Sequence, residues 1–244
     1  MKYSHHIHSH RFAQEIINQT PELKLLWDEI QDALASITDE AIKEEFTRLQ
    51  ENSILSNQRR NGSAATVGTV KSISIAVNTL LKQKLIASGW LAESAIFQDP
   101  YYQEGTRWRL DFSKQISRNT EIKASGTTAP ITGIAVEVAF NHGEAIAWNL
   151  LKPVLASELN HLEKETNIGT GIGVVICATE ALKSAGGFDG AVGSYEKMLR
   201  YLAPMQNQLN TPLLIVGLEA PETFKIEIVR NKGTNQKHGE IRDI

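Results

Sequence analysis

Two acidic side chains, Asp111 and Glu137, stand where this sequence could do chemistry. Glu137 lies in Gly-Ile-Ala-Val-Glu-Val-Ala-Phe, residues 133–140, which alternates as a β-strand does. On such a strand Ile134, Val136, Val138 and Phe140 share one face, and Ala135, Glu137 and Ala139 share the other. A carboxylate set among alanines on an apolar strand is costly to bury unless it is paired or coordinated. Its small neighbours would leave room for a metal ion and a phosphate. Asp111 sits between Leu110 and Phe112 near the end of a second alternating stretch, residues 107–112. If the two strands are neighbours, both acids can hold one Mg²⁺ through oxygen ligands. A cation held there polarises a phosphodiester, lowers the pKa of a bound water and stabilises the leaving oxygen. On spacing alone, two sheet-edge carboxylates are the favoured reading of the pair.

The elements that must position these residues follow from hydrophobic periodicity. Leu23, Leu26, Trp27, Ile30, Leu34 and Ile37 recur at helical spacing and predict a helix over 22–37. A second helix is predicted from Asp39, a capping residue, to about Leu55, and a third over Thr66–Ala87. The polar stretch Ser56–Ser63 between them reads as a loop. Strands are predicted at 107–112, 133–140, 172–177, 212–218 and 224–230, with a further candidate at 119–124. Helices are predicted over 144–165, kinked at Pro153, and over 194–203. The last dozen residues read as a polar tail or edge. Helices first, then strands, then alternation, predict an α/β fold with a mixed sheet and an N-terminal helical layer, and no linker interrupts it. The expectation is a single domain over 1–244, with 1–90 mainly helical and 105–230 carrying the catalytic sheet.

Composition narrows the function classes. The 244 residues suffice for one large α/β core. No apolar run reaches the roughly 18–20 residues of a membrane span, and the N-terminus lacks the apolar core of a secretory signal. One cysteine, Cys177, excludes an internal disulfide and fits a reducing cytoplasm. The net charge of −3 argues against a non-specific nucleic-acid coat protein, but not against an enzyme that gathers positive charge in one cleft. The spacing of His5, His6, His8 and His10 fits no closed zinc site. The glycines of Gly169–Gly173 precede a strand instead of joining strand to helix, so the dinucleotide-loop reading fails.

Longer patterns carry a resemblance. Leu110-Asp111-Phe112, then Val136-Glu137-Val138-Ala139-Phe140-Asn141-His142 and Asn149-Leu150-Leu151, resemble the active-site hairpin and following helix of the BglII, BstYI and BamHI restriction endonucleases, within the PD-(D/E)xK superfamily. The similarity continues through Val174–Ile176, Ser194-Tyr195-Glu196 and Thr211–Leu218. It also reaches Glu15–Asn18 and Leu26–Ile30 near the N-terminus. It implies a restriction-endonuclease-like core, Mg²⁺ as cofactor, double-stranded DNA as partner, a homodimer, a prokaryotic cytoplasmic setting, and Asp111 and Glu137 as metal ligands. The implied activity is hydrolysis of a short palindromic site, with a GATC-like core.

The resembled family carries Gln or Glu two residues after the second ligand, where this chain has Ala139. Three residues are candidates for that third role. Glu121 and Lys123 form a Glu-x-Lys stretch, in which the lysine would position or activate water and stabilise negative charge, and Glu144 opens the next helix. Asn141 and His142 match a base-contacting position, with helix capping as the alternative for them. Phe188 and Asp189, in Gly186–Gly190, match a second recognition loop or a surface turn. Arg59 and Arg60 are candidates for phosphate contact, and Arg107, Arg109, Lys114 and Arg118 add positive charge beside the site. Two rivals stay open: a repair or mobile-element nuclease with this core, and a DNA-binding protein that has lost catalysis, which Ala139 favours.

Overall fold

The computed structural model describes residues 1–61, 67–103, 108–116, 132–157, 171–230 and 236–244. Its centre is a six-stranded mixed sheet of order β1-β6-β5-β4-β3-β2. The strands are β1 (Ile7–His10), β2 (Leu91–Ala95), β3 (Arg109–Ile116), β4 (Thr132–Ala139), β5 (Ile172–Ala178) and β6 (Leu213–Leu218). β4, β5 and β6 run parallel, while β1, β2 and β3 pair antiparallel with their neighbours. Every residue of β5 and β6 is buried. That is why these segments read as unbroken apolar runs: a parallel strand inside a sheet is covered on both faces.

Helices α1 (Ala13–Gln19), α2 (Pro21–Ala35) and α4 (Ser74–Ala87) cover one face. Their Leu26, Ile30, Leu34, Val77 and Leu81 join Ile134, Val136, Val174, Ile176 and Leu214 in the main core. After a short α5 (Pro100–Gln103), the chain enters β3, and beyond β4 it forms a 3₁₀ turn at Gly143–Ala145 and α6 (Ile146–Ser157). α6 lies on the opposite face with α8 (Tyr195–Leu202), where Ile146, Leu150 and Met198 pack on Val175, Leu213 and Ile215. α7 (Glu180–Ala185) follows β5, capped by the Thr179 hydroxyl. A side chain at Gly173 would come 2.5 Å from Pro153 Cβ and 2.4 Å from Leu213 Cδ2, so glycine there lets α6 lie close on β5.

Several expectations change. The N-terminal segment, expected to be mainly helical, also supplies β1 at an edge of the sheet. α3 (Asp39–Asn61) continues through the polar residues predicted as a loop. Nothing in 56–61 is glycine or proline, so no residue there breaks a helix. The helix predicted from Thr66 begins at Ser74. Residues ahead of it are tied down outside any helix by tertiary bonds, the Val70 carbonyl accepting from Gln50 Nε2 at 2.7 Å and from Gly239 N at 2.8 Å. Of the tail or edge expected at the C-terminus, the described residues form the edge: β8 (Lys237–Asp243) pairs antiparallel with β7 (Phe224–Arg230) in a separate two-stranded sheet. The candidate strand at 119–124 lies outside the described residues.

Candidate active site

Asp111 and Glu137 flank the point where the β3–β4 ladder ends, a fork in the sheet. The β3–β4 ladder runs from Ile116↔Thr132 to Phe112↔Val136 and stops. By that register the next rung would set Asp111 across from Glu137. Beyond it β3 stays with β2, through Leu110↔Ser94 and Arg109↔Ala95, while β4 stays with β5 through Glu137↔Val175 and Ala139↔Cys177.

The strand also turns over at this point. Leu110 and Phe112, two residues apart, would share a face in a regular strand. Instead Leu110 packs with Ala135 and Ala156, whereas Phe112 joins the core on the side of α2 and α4. Across from Asp111, between the pairs Ala92↔Phe112 and Ser94↔Leu110, stands Glu93. Its φ of 55° is left-handed, which is strained for a residue other than glycine. Such irregular backbone turns side chains toward a site in place of the usual alternation.

Parting strands leave main-chain groups without ladder partners, and side chains take them up. Val138 N donates to Asp111 Oδ2 at 2.7 Å. On the other arm, Lys152 Nζ of α6 donates to the Arg109 carbonyl at 2.9 Å and pairs with Glu137 Oε2. Glu137 is 1% exposed, and among the described residues its Oε1 is buried without a hydrogen-bond partner. Asp111 faces a cleft of about 220 Å³ lined by Glu93, Phe112, Val138 and the α4 residues Ile75, Asn78, Thr79 and Lys82.

The electrostatics tie these groups together. Burial pushes the Glu137 carboxyl up to about 8, the Asp111 charge adds to that, and the Lys152 ammonium and the Asp111 amide oppose it. Burial also raises Asp111, against the pull of the Val138 amide and Lys152; Glu93 raises it further and Lys82 lowers it. Two acids held so reluctantly ionised, one with a bare oxygen, suit a hard cation that takes oxygen ligands. Among the described residues no group of three or more His, Cys, Asp or Glu is placed to hold a metal ion. The donor set still fits Mg²⁺, which is ordinarily held by one or two carboxylates, with waters and substrate phosphates completing its shell.

The alanines flanking Glu137 do not open space for an ion, as the sequence suggested. Ala139 is 1% exposed and packed with Ile146 and Leu150, and Ala135 packs near Ala156. Small side chains here admit α6. Glu144 is exposed on the 3₁₀ turn. Glu121, Lys123, Arg107 and Arg118 lie outside the described residues. Lys114 points away into a triad, bonding Glu29 and the Ser88 carbonyl, while Trp90 Nε1 donates to the same Glu29.

The two segments expected to read DNA are joined. His142 bridges Val192, Gly143 N donates to the Ala191 carbonyl at 2.7 Å, and Gly193 N donates to the Asn141 carbonyl at 3.0 Å. Asn141 and His142 are both exposed, and neither caps the 3₁₀ turn by its side chain; Asn141 instead exchanges amide bonds with buried Asn149 of α6. Asp189 is exposed and accepts from Ala191 N at 2.9 Å. Phe188 is turned inward, its ring 5.5 Å from that of Phe140. Arg59 is exposed on α3, which also carries Arg60.

Sequence reasoning passed over Lys152 and Glu93. Lys152 left a signal: it is the one charge between Ala145 and Ser157, a stretch otherwise suited to a buried helix. Glu93 left none, because its role depends on a backbone angle.

The family model described as Restriction endonuclease BglII/BglIII matches residues 5–218. Among solved structures, the chain is similar to restriction endonuclease BglII complexed with a DNA 16-mer. The TM-score there is 0.55 and the identity 18%, over the full length of both chains, a likeness that concerns the fold. Free BglII aligns at TM-score 0.43 and 14% identity, covering this chain in full and 93% of the other. No match is found among curated proteins.

Proposed function

The chain belongs to the restriction endonuclease BglII/BglIII family, which makes it a type II site-specific endonuclease, and on that premise we propose that it hydrolyses both strands of a short palindromic DNA duplex as a Mg²⁺-dependent homodimer. The observation that carries this reading is the end of the β3–β4 ladder, which leaves two acids on neighbouring strands, Asp111 open to a cleft beside α4 and Glu137 buried against Lys152 with, among the described residues, one unpartnered oxygen. Asp111, which shares its cleft with Glu93, and Glu137 would hold the ion. When bound, the ion supplies Lewis-acid polarisation of the phosphodiester and a more acidic water.

The chain's own groups do the rest. The Val138 amide fixes the rotamer of Asp111, and Lys152 fixes that of Glu137. Burial under α6 keeps bulk water from the Glu137 side, which strengthens every charge interaction there. The exposed Asn141, His142 and Asp189, joined through the 142–192 bridge, offer amide, imidazole and carboxylate groups to base edges. A twofold axis in the protein would mirror that of a palindromic site.

Incubation of plasmid with the protein and Mg²⁺ tests the reading. Discrete fragments with one shared end sequence are expected. Asp111→Asn should abolish cleavage while leaving DNA binding within a few-fold, because the Val138 hydrogen bond survives. Structure-selective nicking would favour the repair-type rival, and binding with no cleavage under any divalent ion would favour the inactive one.

A further inference from the structure

Position 139 cannot supply the third group of the site, and the fold shows what stands in its stead. Ala139 is sealed into the packing of α6 on β4, so even a longer side chain there would meet Ile146 and Leu150 before any ligand. From the same helix one cation enters the fork. Lys152 Nζ reaches both arms: the Arg109 carbonyl on β3, released where the ladder stops, and the Glu137 carboxylate on β4. Its side chain is 12% exposed, so a charged head and a four-carbon stem are held in a nearly closed space. A buried cation persists only where acceptors converge on it.

We infer that Lys152 is the positioning residue that replaces the missing side chain at 139: it binds Glu137 through Oε2, leaves Oε1 bare, and puts a fixed positive charge beside the reacting phosphate. The inference rests on the reading of Asp111 and Glu137 given above, but it adds a residue from another element. α6 is well placed to hold it. Asn149, three residues earlier, is buried and tied to Asn141, and Trp148 rests against Trp108 at 4.4 Å between ring centres. These contacts set the height of Lys152 over the fork and connect it to the loop expected to read DNA. Placing the cation on the helix instead of the strand removes the need for a polar side chain at 139, which explains how an alanine is tolerated there.

The test compares wild type, Lys152→Met and Lys152→Arg. Methionine keeps most of the stem's packing and loses the charge; arginine keeps the charge. Three quantities are read: single-turnover cleavage in Mg²⁺, calorimetric affinity of the protein–DNA complex for Ca²⁺, and the melting temperature. For Lys152→Met, cleavage is expected to fall about 100-fold, the scale of losing one preorganised electrostatic group. Ca²⁺ affinity should be undiminished or tighter, since both acids remain and one repelling charge is gone. Lys152→Arg should recover part of the lost cleavage. Cleavage by Lys152→Met close to wild type overturns the inference. So does a loss matched by an equal loss of Ca²⁺ affinity, an absence of recovery in a folded Lys152→Arg, or melting of Lys152→Met below the assay temperature, each of which reduces Lys152 to a brace for the fork. Wild-type protein that fails to cleave would instead remove the underlying reading.

Discussion

Replacing Glu137 by glutamine should change the pH dependence of folding in a way set by one carboxyl group. In the folded, metal-free protein, burial raises this group from 4.5 to about 8, with the Asp111 charge second and Lys152 opposing. At 1.36 kcal/mol per pH unit, that rise corresponds to about 5 kcal/mol. The sign follows from proton linkage. The folded state holds the proton more tightly than the unfolded chain, so this group imposes no ionisation penalty below pH 4.5. Stability is then lost as pH rises from 4.5 toward 8, and the loss is complete above 8. Asp111, raised by burial as well, adds a loss of the same sign in both proteins. Leaving Lys152 without its partner costs the variant a roughly constant amount. The informative quantity is therefore the slope of the difference and not its offset. Urea denaturation in EDTA, repeated between pH 5 and 8.5, should show the variant gaining on wild type by up to about 4 kcal/mol across that range, by the same conversion. Saturating Ca²⁺ should flatten the wild-type curve. A difference that stays level within about 1 kcal/mol, near the precision of the extrapolation, would show that Glu137 is not ionising in a buried setting and would undo the argument for a cation site at the fork.

Two further outcomes probe the frame and the DNA face. Leu214 is fully buried in the central strand β6, so Leu214→Ala should cost about 3 kcal/mol and lower Tm by roughly 6–12 °C in calorimetry; a loss below about 1 kcal/mol would contradict its place in the core. Arg59→Ala, at an exposed position on α3, should weaken DNA binding alike on cognate and random sequence and reduce the slope of log K against log salt by about one; an unchanged slope would remove Arg59 from the phosphate contacts.

Much of the frame was legible in the residues themselves. The apolar run 172–177 read as a buried strand and 212–218 as another strand, and both are fully buried parallel strands inside the sheet. The spacing of Leu23, Leu26, Trp27, Ile30 and Leu34 gave α2 its buried stripe. Asp111 and Glu137 stood out because an acid in an apolar strand demands a reason. Tertiary structure decided the rest. Segment 67–73 carries a helical pattern yet is not helical, because Gln50 and Gly239 hold the main chain at Val70 more firmly than local propensity does. The alanines beside Glu137 could mean open space or a close-packed helix, and only the approach of α6 selects between them. The fork, the left-handed turn at Glu93 and the reach of Lys152 arise between segments far apart in sequence. Periodicity reports which face of one element is apolar. It carries no information on where two ladders part or which distant side chain fills the gap, because those depend on the relative placement of elements, fixed only when the whole core is packed.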